Sequence, residues 1–317
     1  MRIDYLRVSV TDRCNLRCIY CNPLGDCDFL QRDEVLTFEE IQRVVRLFVE
    51  CGINKVRLTG GEPLVRKNIV RLVRMLAEIT GIEELSLTTN GVLLELAAEE
   101  LKAAGLSRVN ISVDSAERWN YQRITGFDFL EKVKKGIYKA IEVGLTPVKI
   151  NTVVLKGINE QDVAALAQLS VEMPIAVRFI EFCPTESNTK QGGYFVPNSQ
   201  VRGSIVSRFG PLAAMVMVNS NGPAVYFKIK DSAGAVGFIS GKSTFFCRLC
   251  NRLRLTSDGK VKPCLYSAAN YDIKRLIRAG SGDEQVLDLL KRIIGEKANY
   301  TKLNSPAVEF SMRSVGG

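Results

Sequence analysis

No histidine occurs in the 317 residues. Its absence removes Ser–His–Asp and Cys–His catalysis and every metal site that needs imidazole. Proton handling must use other groups. No charge-free apolar run approaches the roughly 18–20 residues needed to span a bilayer. The start, Met1-Arg2-Ile3-Asp4, lacks the basic-then-apolar layout of a signal peptide. The expectation is a cytoplasmic protein with no membrane partner. No run of five or more like charges is present, so a basic tail is excluded. Aromatics are only 8%, which argues against the interleaved basic and aromatic residues of a nucleic-acid module. No nucleic-acid partner is expected.

What is present is cysteine and positive charge. Nine cysteines in a reducing compartment point to metal or redox chemistry rather than disulfides. Six of the nine fall in two groups, Cys14-x3-Cys18-x2-Cys21 and Cys247-x2-Cys250-x13-Cys264. Cys27, Cys51 and Cys183 lie outside them, and Cys51 reads as a small core residue in an apolar helix. Net charge is +9 with no charged tail, so the fold must focus it, as an anionic partner would require. Hydrophobic residues make up 46%, enough for a sizeable core in one large domain or two ordinary ones.

The first part of the chain alternates strand and helix patterns. Strands are predicted at Tyr5–Val10, Lys55–Thr59, Glu84–Thr88, Arg108–Val113, Pro147–Val154 and Val177–Phe182. Helical spacing covers Thr37–Cys51, Ile69–Thr80, Leu93–Ala104, Leu130–Val143 and Glu160–Val171. Thr37 followed by Glu40 is a capping box. Six strands separated by five helices make an α/β fold, an open six-stranded partial TIM-like barrel with right-handed crossovers. Active sites of such folds lie at the carboxyl ends of the strands. There the chain places its cysteine loop, Gly60-Gly61-Glu62-Pro63, Thr89-Asn90-Gly91 and Asp114-Ser115. Beyond about residue 185 the pattern changes. Pro184–Pro197 reads as a loop, residues 214–239 as a small antiparallel sheet, and Ile273–Arg278 with Glu284–Glu296 as a last helix pair. Two domains are expected, a barrel at 1–190 and a C-terminal α+β cluster-binding extension at 191–317.

Cys14-x3-Cys18-x-Tyr20-Cys21 resembles the signature of radical S-adenosylmethionine (SAM) enzymes, with Tyr20 as the aromatic. The second cysteine group reads as a zinc ribbon only if a fourth ligand, Cys183 or Cys27, completes it. A second three-cysteine [4Fe–4S] site is the preferred reading. Cys250-Asn251-Arg252-Leu253-Arg254-Leu255-Thr256 and Asp258-Gly259-Lys260 then resemble the C-terminal motif of the GTP 3′,8-cyclases. Leu58-Thr59-Gly60-Gly61-Glu62-Pro63, Leu87-Thr88-Thr89-Asn90-Gly91, Val148–Val153, Arg178–Phe182 and the terminal Gly316-Gly317 support it, so the resemblance covers nearly the whole chain.

The resemblance implies that Cys14, Cys18 and Cys21 hold one [4Fe–4S] cluster whose open iron takes SAM. Reductive cleavage of SAM then leaves a 5′-deoxyadenosyl radical. It implies that Cys247, Cys250 and Cys264 hold a second cluster that positions the guanine base of GTP. Tyr20, Gly60, Gly61, Asn90, Ser112 and Cys183 match SAM positions. Arg7, Arg57, Thr88, Lys149, Arg252, Leu253 and Arg254 match substrate positions, with Arg178 a further addition. Guanidinium groups suit phosphate because they donate paired hydrogen bonds. Arg7, Arg57 and Lys149 also stand within predicted strands, where a charge is costly unless paired or facing a cavity. The expected chemistry removes the C3′ hydrogen of GTP and closes a bond from C3′ to C8, in the first step of molybdenum cofactor biosynthesis. Partners implied are GTP, SAM, an electron donor, the next enzyme of the molybdopterin pathway and a second copy of the chain. Gly316-Gly317, with Arg313 before it, resembles the family's tail, which threads toward the active site. One departure stands out: the family's Glu-Phe-Met-Pro is here Glu181-Phe182-Cys183-Pro184.

Two rival readings remain. One is another radical SAM enzyme with an auxiliary cluster, such as a peptide-modifying one, though these usually carry more C-terminal cysteines. The other is a basic zinc-binding nucleic-acid module, which would need complete ligand sets where both stop at three.

Overall fold

The computed structural model describes residues 2–21, 29–183, 193–216, 222–244 and 250–299. Cys27, Cys247, Arg313 and Gly316-Gly317 lie outside the described residues, as does most of the expected loop at Pro184–Pro197. The first half is built from β1 (Tyr5–Ser9), α1 (Phe38–Glu50), β2 (Lys55–Thr59), α2 (Ile69–Ala77), β3 (Glu84–Thr89) and α3 (Leu94–Ala103). Next come β4 (Arg108–Ser112), α4 (Arg118–Thr125), α5 (Leu130–Glu142), β5 (Lys149–Val154), α6 (Val163–Glu172) and β6 (Ala176–Glu181). The remainder contains α7 (Asn198–Phe209), β7 (Ala213–Met215), β8 (Val225–Lys228), β9 (Ala235–Ile239) and β10 (Arg252–Leu255). It closes with β11 (Lys260–Lys262), β12 (Tyr271–Asp272), α8 (Ile273–Arg278) and α9 (Asp283–Asn299).

Local sequence explains the elements. Thr37 accepts from the Glu40 N–H at 3.1 Å while Glu40 accepts from the Thr37 N–H at 2.7 Å, closing the capping box of α1. Such a cap is worth about 1 kcal/mol. Ile41, Val44, Val45 and Phe48 then recur at helical spacing and are fully buried. Each contributes about 1.5–3 kcal/mol by leaving water, and Phe48→Ala alone would cost about 3–5 kcal/mol.

The strands form one open sheet in the order β12-β11-β10-β1-β2-β3-β4-β5-β6-β9-β8-β7. Every pairing from β10 through β1–β6 to β9 is parallel. The pairings at the two edges are antiparallel. The six βα units therefore form the expected open barrel, and the C-terminal part lengthens it on both sides. The antiparallel sheet expected over 214–239 is present as β7–β8–β9. It is not free-standing: β9 lies parallel to β6 and joins it to the main sheet, because Val236 and Phe238 bury against the main core. Helices α4 and α7 were not expected. α4 is polar and short, and α7 begins directly after Pro197.

Alternation along the strands separates two faces. Leu253, Leu6, Val56 and Leu85 stand in register, as do Leu255, Val8, Leu58, Leu87 and Val109, and these rows pack into the core shared with the helices. The alternate positions turn to the inner face of the barrel, and on β10 and β1 to β4 they are polar.

Candidate active site

The first cysteine group lies in the loop after β1, at the carboxyl end of the sheet. Three neighbouring loops fix it. Gly61 donates its N–H to Thr11 O at 2.6 Å, and Glu62 donates to Arg13 O at 2.8 Å. Arg17 and Ile19 donate to the carbonyls of Thr125 and Ile124 at the end of α4, at 2.8 and 3.0 Å. Asn90 Nδ2 reaches Cys14 Sγ at 3.8 Å and Asn15 Oδ1 at 2.7 Å. The two glycines have a plain steric reason. A Cβ on Gly60 would lie 2.5 Å from Thr11 O, and one on Gly61 2.2 Å from Arg13 O. Their missing side chains thus admit the backbone of the cysteine loop itself.

Residues outside the expected ligand and contact sets brace this loop. Glu62 is buried beneath it and accepts from Thr89 Oγ1 at 2.7 Å, Asn90 N at 2.6 Å and Leu64 N at 3.0 Å. Burial pushes its carboxyl up to about 7 despite those donors. Arg66 donates to Val10 O and, at 2.6 Å, to Leu36 O, with its guanidinium 4.4 Å from the centre of the Phe38 ring. Asp114, just past β4, accepts from the Tyr20 hydroxyl at 2.6 Å and from Val153 N at 2.8 Å. Its carboxyl is pushed up to about 6 by burial. A buried acid following a strand of an α/β fold was the available signal for Asp114.

The donor chemistry fits an iron–sulfur cluster. Burial, then Asp114, then the neighbouring Cys21 and Cys14 push the Cys18 thiol well above its ordinary value. Each of these neighbours disfavours a bare Cys18 thiolate, a cost that metal ligation would relieve. Among the described residues no three Cys, Asp or Glu side chains converge on a single-ion position. Sulfur donors with no imidazole suit iron–sulfur chemistry.

The second group is partly visible. Cys250 and Cys264 are free and half-buried, and Cys247 lies outside the described residues. Burial raises the Cys250 thiol, but Arg252, Lys297 and Arg254 outweigh it and hold the thiol below its ordinary value. Lys297 Nζ is 3.7 Å from Cys250 Sγ. Cys183 meets Tyr266, two residues past Cys264, and a Cβ on Gly241 would lie 2.6 Å from its sulfur. Glu181 ties down the approach to this group. Its carboxylate accepts from Asn198 N at 3.0 Å, Lys242 N at 3.0 Å, Ser243 N at 2.9 Å and Ser243 Oγ at 2.5 Å.

Between the two groups runs a row of cations. Lys262, Arg254, Arg7, Arg57, Ser86 and Arg108 stand in register across six adjacent strands on the inner face. All six side chains are buried. Lys149 and Arg178 continue the face on β5 and β6, paired through Asn110 and Asn151. Arg108 has Glu84 at 2.5 Å, and Arg57 donates to Ser86 Oγ at 3.2 Å. The crowding is costly. Burial, then Arg108, Arg178 and Arg57, push Lys149 down to about 7. Burial also lowers Arg57 and Arg254 to about 10, with Arg252 adding to the second. Arg7 is held well below its ordinary value by burial, then Arg254 and Arg57. Thr88 Oγ1, Asn110 Nδ2, Asn151 Oδ1 and Arg178 Nε are buried on this face with no hydrogen-bond partner. Buried cations and orphaned polar atoms together mark a cavity for an anionic, hydrogen-bonding ligand.

The structure thus brings Arg7, Arg57, Thr88, Lys149 and Arg254 onto one face, with Ser112 at its rim through its register with Asn151. Leu253 is the exception. It is fully buried in register with Leu6 on the helix-covered face, away from the cation row. Arg108 and Lys262 were passed over, although each shows the same signal as Arg7, a charge inside a short strand.

A family model for the Radical SAM superfamily matches residues 8–170, and one for Molybdenum Cofactor Synthesis C matches residues 175–303. The crystal structure of Streptococcus suis SuiB bound to S-adenosylmethionine superposes with a TM-score of 0.60, covering 97% of this chain and 71% of that one at 14% identity, a likeness of fold. The fold and cysteine loop define a radical SAM protein. Curated relatives run the full length. The GTP 3′,8-cyclase of Pelotomaculum thermopropionicum is 46% identical over 99% of this chain and 98% of its own. That of Moorella thermoacetica is 44% identical over 100% and 98%. The chain belongs to the GTP 3′,8-cyclase family.

Proposed function

We propose that this chain converts GTP to (8S)-3′,8-cyclo-7,8-dihydroguanosine 5′-triphosphate, the first step of molybdenum cofactor biosynthesis. The observation that carries the reading is the in-register row Lys262–Arg254–Arg7–Arg57–Ser86–Arg108 lying between the two cysteine groups. A nucleoside triphosphate carries roughly four negative charges near neutral pH, and this face offers the opposite sign on buried side chains.

Cys14, Cys18 and Cys21 would hold the first [4Fe–4S] cluster, and Cys247, Cys250 and Cys264 the second. When bound, the first cluster with SAM supplies the 5′-deoxyadenosyl radical that abstracts the C3′ hydrogen. The protein's part is orientation. Arg7, Arg57, Lys149, Arg252 and Arg254 clamp the triphosphate and base, with Lys262 and Arg178 beside them. Thr88 offers a hydroxyl, and Leu253 its main chain. Tyr20, Asn90, Ser112, Cys183 and the Gly60-Gly61 backbone surround SAM. Holding C3′ and C8 in reach of each other supplies up to about 7–11 kcal/mol of the barrier. Barrel burial excludes water and competing hydrogen donors.

The reading includes an external electron donor, product hand-off to the next molybdopterin enzyme, a homodimer and a cytoplasmic location. Among the described residues no helix is long and apolar enough to cross a membrane, which fits that location. A peptide-modifying activity is disfavoured because the curated relatives that run the full length are GTP 3′,8-cyclases. The test is anaerobic reconstitution, iron counting, and addition of SAM and reductant with and without GTP. About eight irons (two [4Fe–4S] sets) with GTP-dependent 5′-deoxyadenosine and cyclised nucleotide are expected. Deoxyadenosine without a cyclised nucleotide overturns the substrate.

A further inference from the structure

Helix α9 carries a lysine where its pattern calls for a hydrophobe. Val286, Leu290 and Ile293 recur at helical spacing and are fully buried. The next position on that stripe is Lys297, itself only 2% exposed. The N-terminal end of the helix is pinned by Asp283 to Arg43 at 2.8 Å and Arg46 at 2.5 Å, both on α1. α9 is therefore fixed in rotation and depth before it reaches Lys297. A lysine on a buried stripe is expensive without a partner. Among the described residues Cys250 is one such partner: its sulfur lies 3.7 Å from Nζ, within the range of an N–H···S hydrogen bond.

We infer that Lys297 is a positioning residue of the second cluster, its ammonium holding the Cys250 sulfur as a ligating thiolate and raising the reduction potential of the cluster bound there. The inference rests on reading Cys250 as a cluster ligand. The physics is direct. A positive charge beside a ligating thiolate stabilises each added negative charge, and hydrogen bonds to cluster sulfurs tune potential in the same sense. Arg252 and Arg254 face the cavity from β10, whereas Lys297 approaches from the helix side. It therefore acts on the thiolate without needing to touch substrate. No activity readout is required.

The experiment is an EPR-monitored potentiometric titration of the reconstituted wild type, Lys297→Met and Lys297→Arg, with iron counts on each. Cys250→Ala serves as the control for the ligand reading. The expected result is a second cluster in the wild type that Cys250→Ala loses. Its midpoint should move to a more negative potential in Lys297→Met, or the cluster should fail to load there, while Lys297→Arg stays close to the wild type. A Lys297→Met protein with a full second cluster at the wild-type potential overturns the inference. Equal defects in Lys297→Met and Lys297→Arg also overturn it, since charge would then not be what matters. A second cluster that survives Cys250→Ala instead overturns the ligand reading, which separates the two failures.

Discussion

Gly61 stands so close to Arg13 that a single methyl group between them would lie 2.2 Å from the Arg13 carbonyl oxygen. The loop after β2 and the cysteine loop after β1 are thus docked backbone to backbone. Gly61→Ala should push the cysteine loop off its seat, at about 1–3 kcal/mol of strain. We expect the variant to lose the first cluster, and half its iron, while keeping the second. Iron analysis with EPR checks this, and a fully loaded first cluster would refute it.

The cation row makes apo stability and substrate binding move in opposite directions. Arg254 faces Arg7 across β10 and β1, both buried, and after burial itself Arg254 is what most depresses the basicity of Arg7. Arg254→Met should raise the thermal midpoint of the nucleotide-free protein by relieving that repulsion. It should weaken GTP binding by about 10–100-fold, the loss of a charged hydrogen bond worth about 1.5–3 kcal/mol. Calorimetric melting and GTP titration read the two effects separately.

Lys149 predicts a pH dependence. Its ammonium is pushed down to about 7, by burial first and then by Arg108, Arg178 and Arg57. The protonated form is the one that attracts phosphate. GTP affinity should therefore be highest below about pH 7 and fall as pH rises through it, with proton uptake on binding in that range. Isothermal titration in buffers of different ionisation enthalpy detects the uptake. Lys149→Met should bind more weakly and lose the dependence, and a wild-type affinity that is flat across pH 6–8 would argue against Lys149.

Glu181 is expected to act at a distance through the loop it holds. Its four hydrogen bonds pin Asn198 and Lys242-Ser243, and Ser243 precedes Cys247 by four residues. Glu181→Gln keeps the shape but replaces one acceptor oxygen with a donor. The second cluster should load incompletely, and SAM cleavage should become uncoupled from nucleotide cyclisation. The ratio of 5′-deoxyadenosine to cyclised product reports it, a ratio near one being the result that counts against the idea.

Much of this architecture was written in local pattern. Strands β1 to β6 are short, apolar at alternate positions and bounded by helix caps, so their places follow from the sequence within about two residues at either end. Which strand neighbours which is another matter. Arg252–Leu255 reads as a strand, but its seat beside β1, about 245 residues earlier, is decided by how Leu253 and Leu255 fit Leu6 and Val8. Val236 and Phe238 likewise announce a strand but not its alignment with β6. At the site, charges inside strands were legible at Arg7, Arg57 and Lys149 and overlooked at Arg108 and Lys262. Glu62 and Asp114 were placed at the strand ends by pattern, but their bracing roles, like the position of Lys297, followed only once burial showed that each is shielded from water. The glycines illustrate the limit differently. Their sequence signal was a close approach, and the structure supplies the approaching group, the cysteine loop.

The seat of β10 beside β1 also sets a schedule for the ribosome. Strand β1 leaves the exit tunnel among the first residues, but its outer edge is covered only when Arg252–Leu255 has been synthesised. Asp4, which binds Lys55 at 3.1 Å, must likewise wait for its contact with Asn251. For most of translation the nascent chain therefore carries an open strand edge. Arg7, next to Arg57, gives that edge the like charge that discourages pairing between neighbouring nascent chains. The same guanidinium that meets nucleotide in the finished protein would thus guard the unfinished one against aggregation.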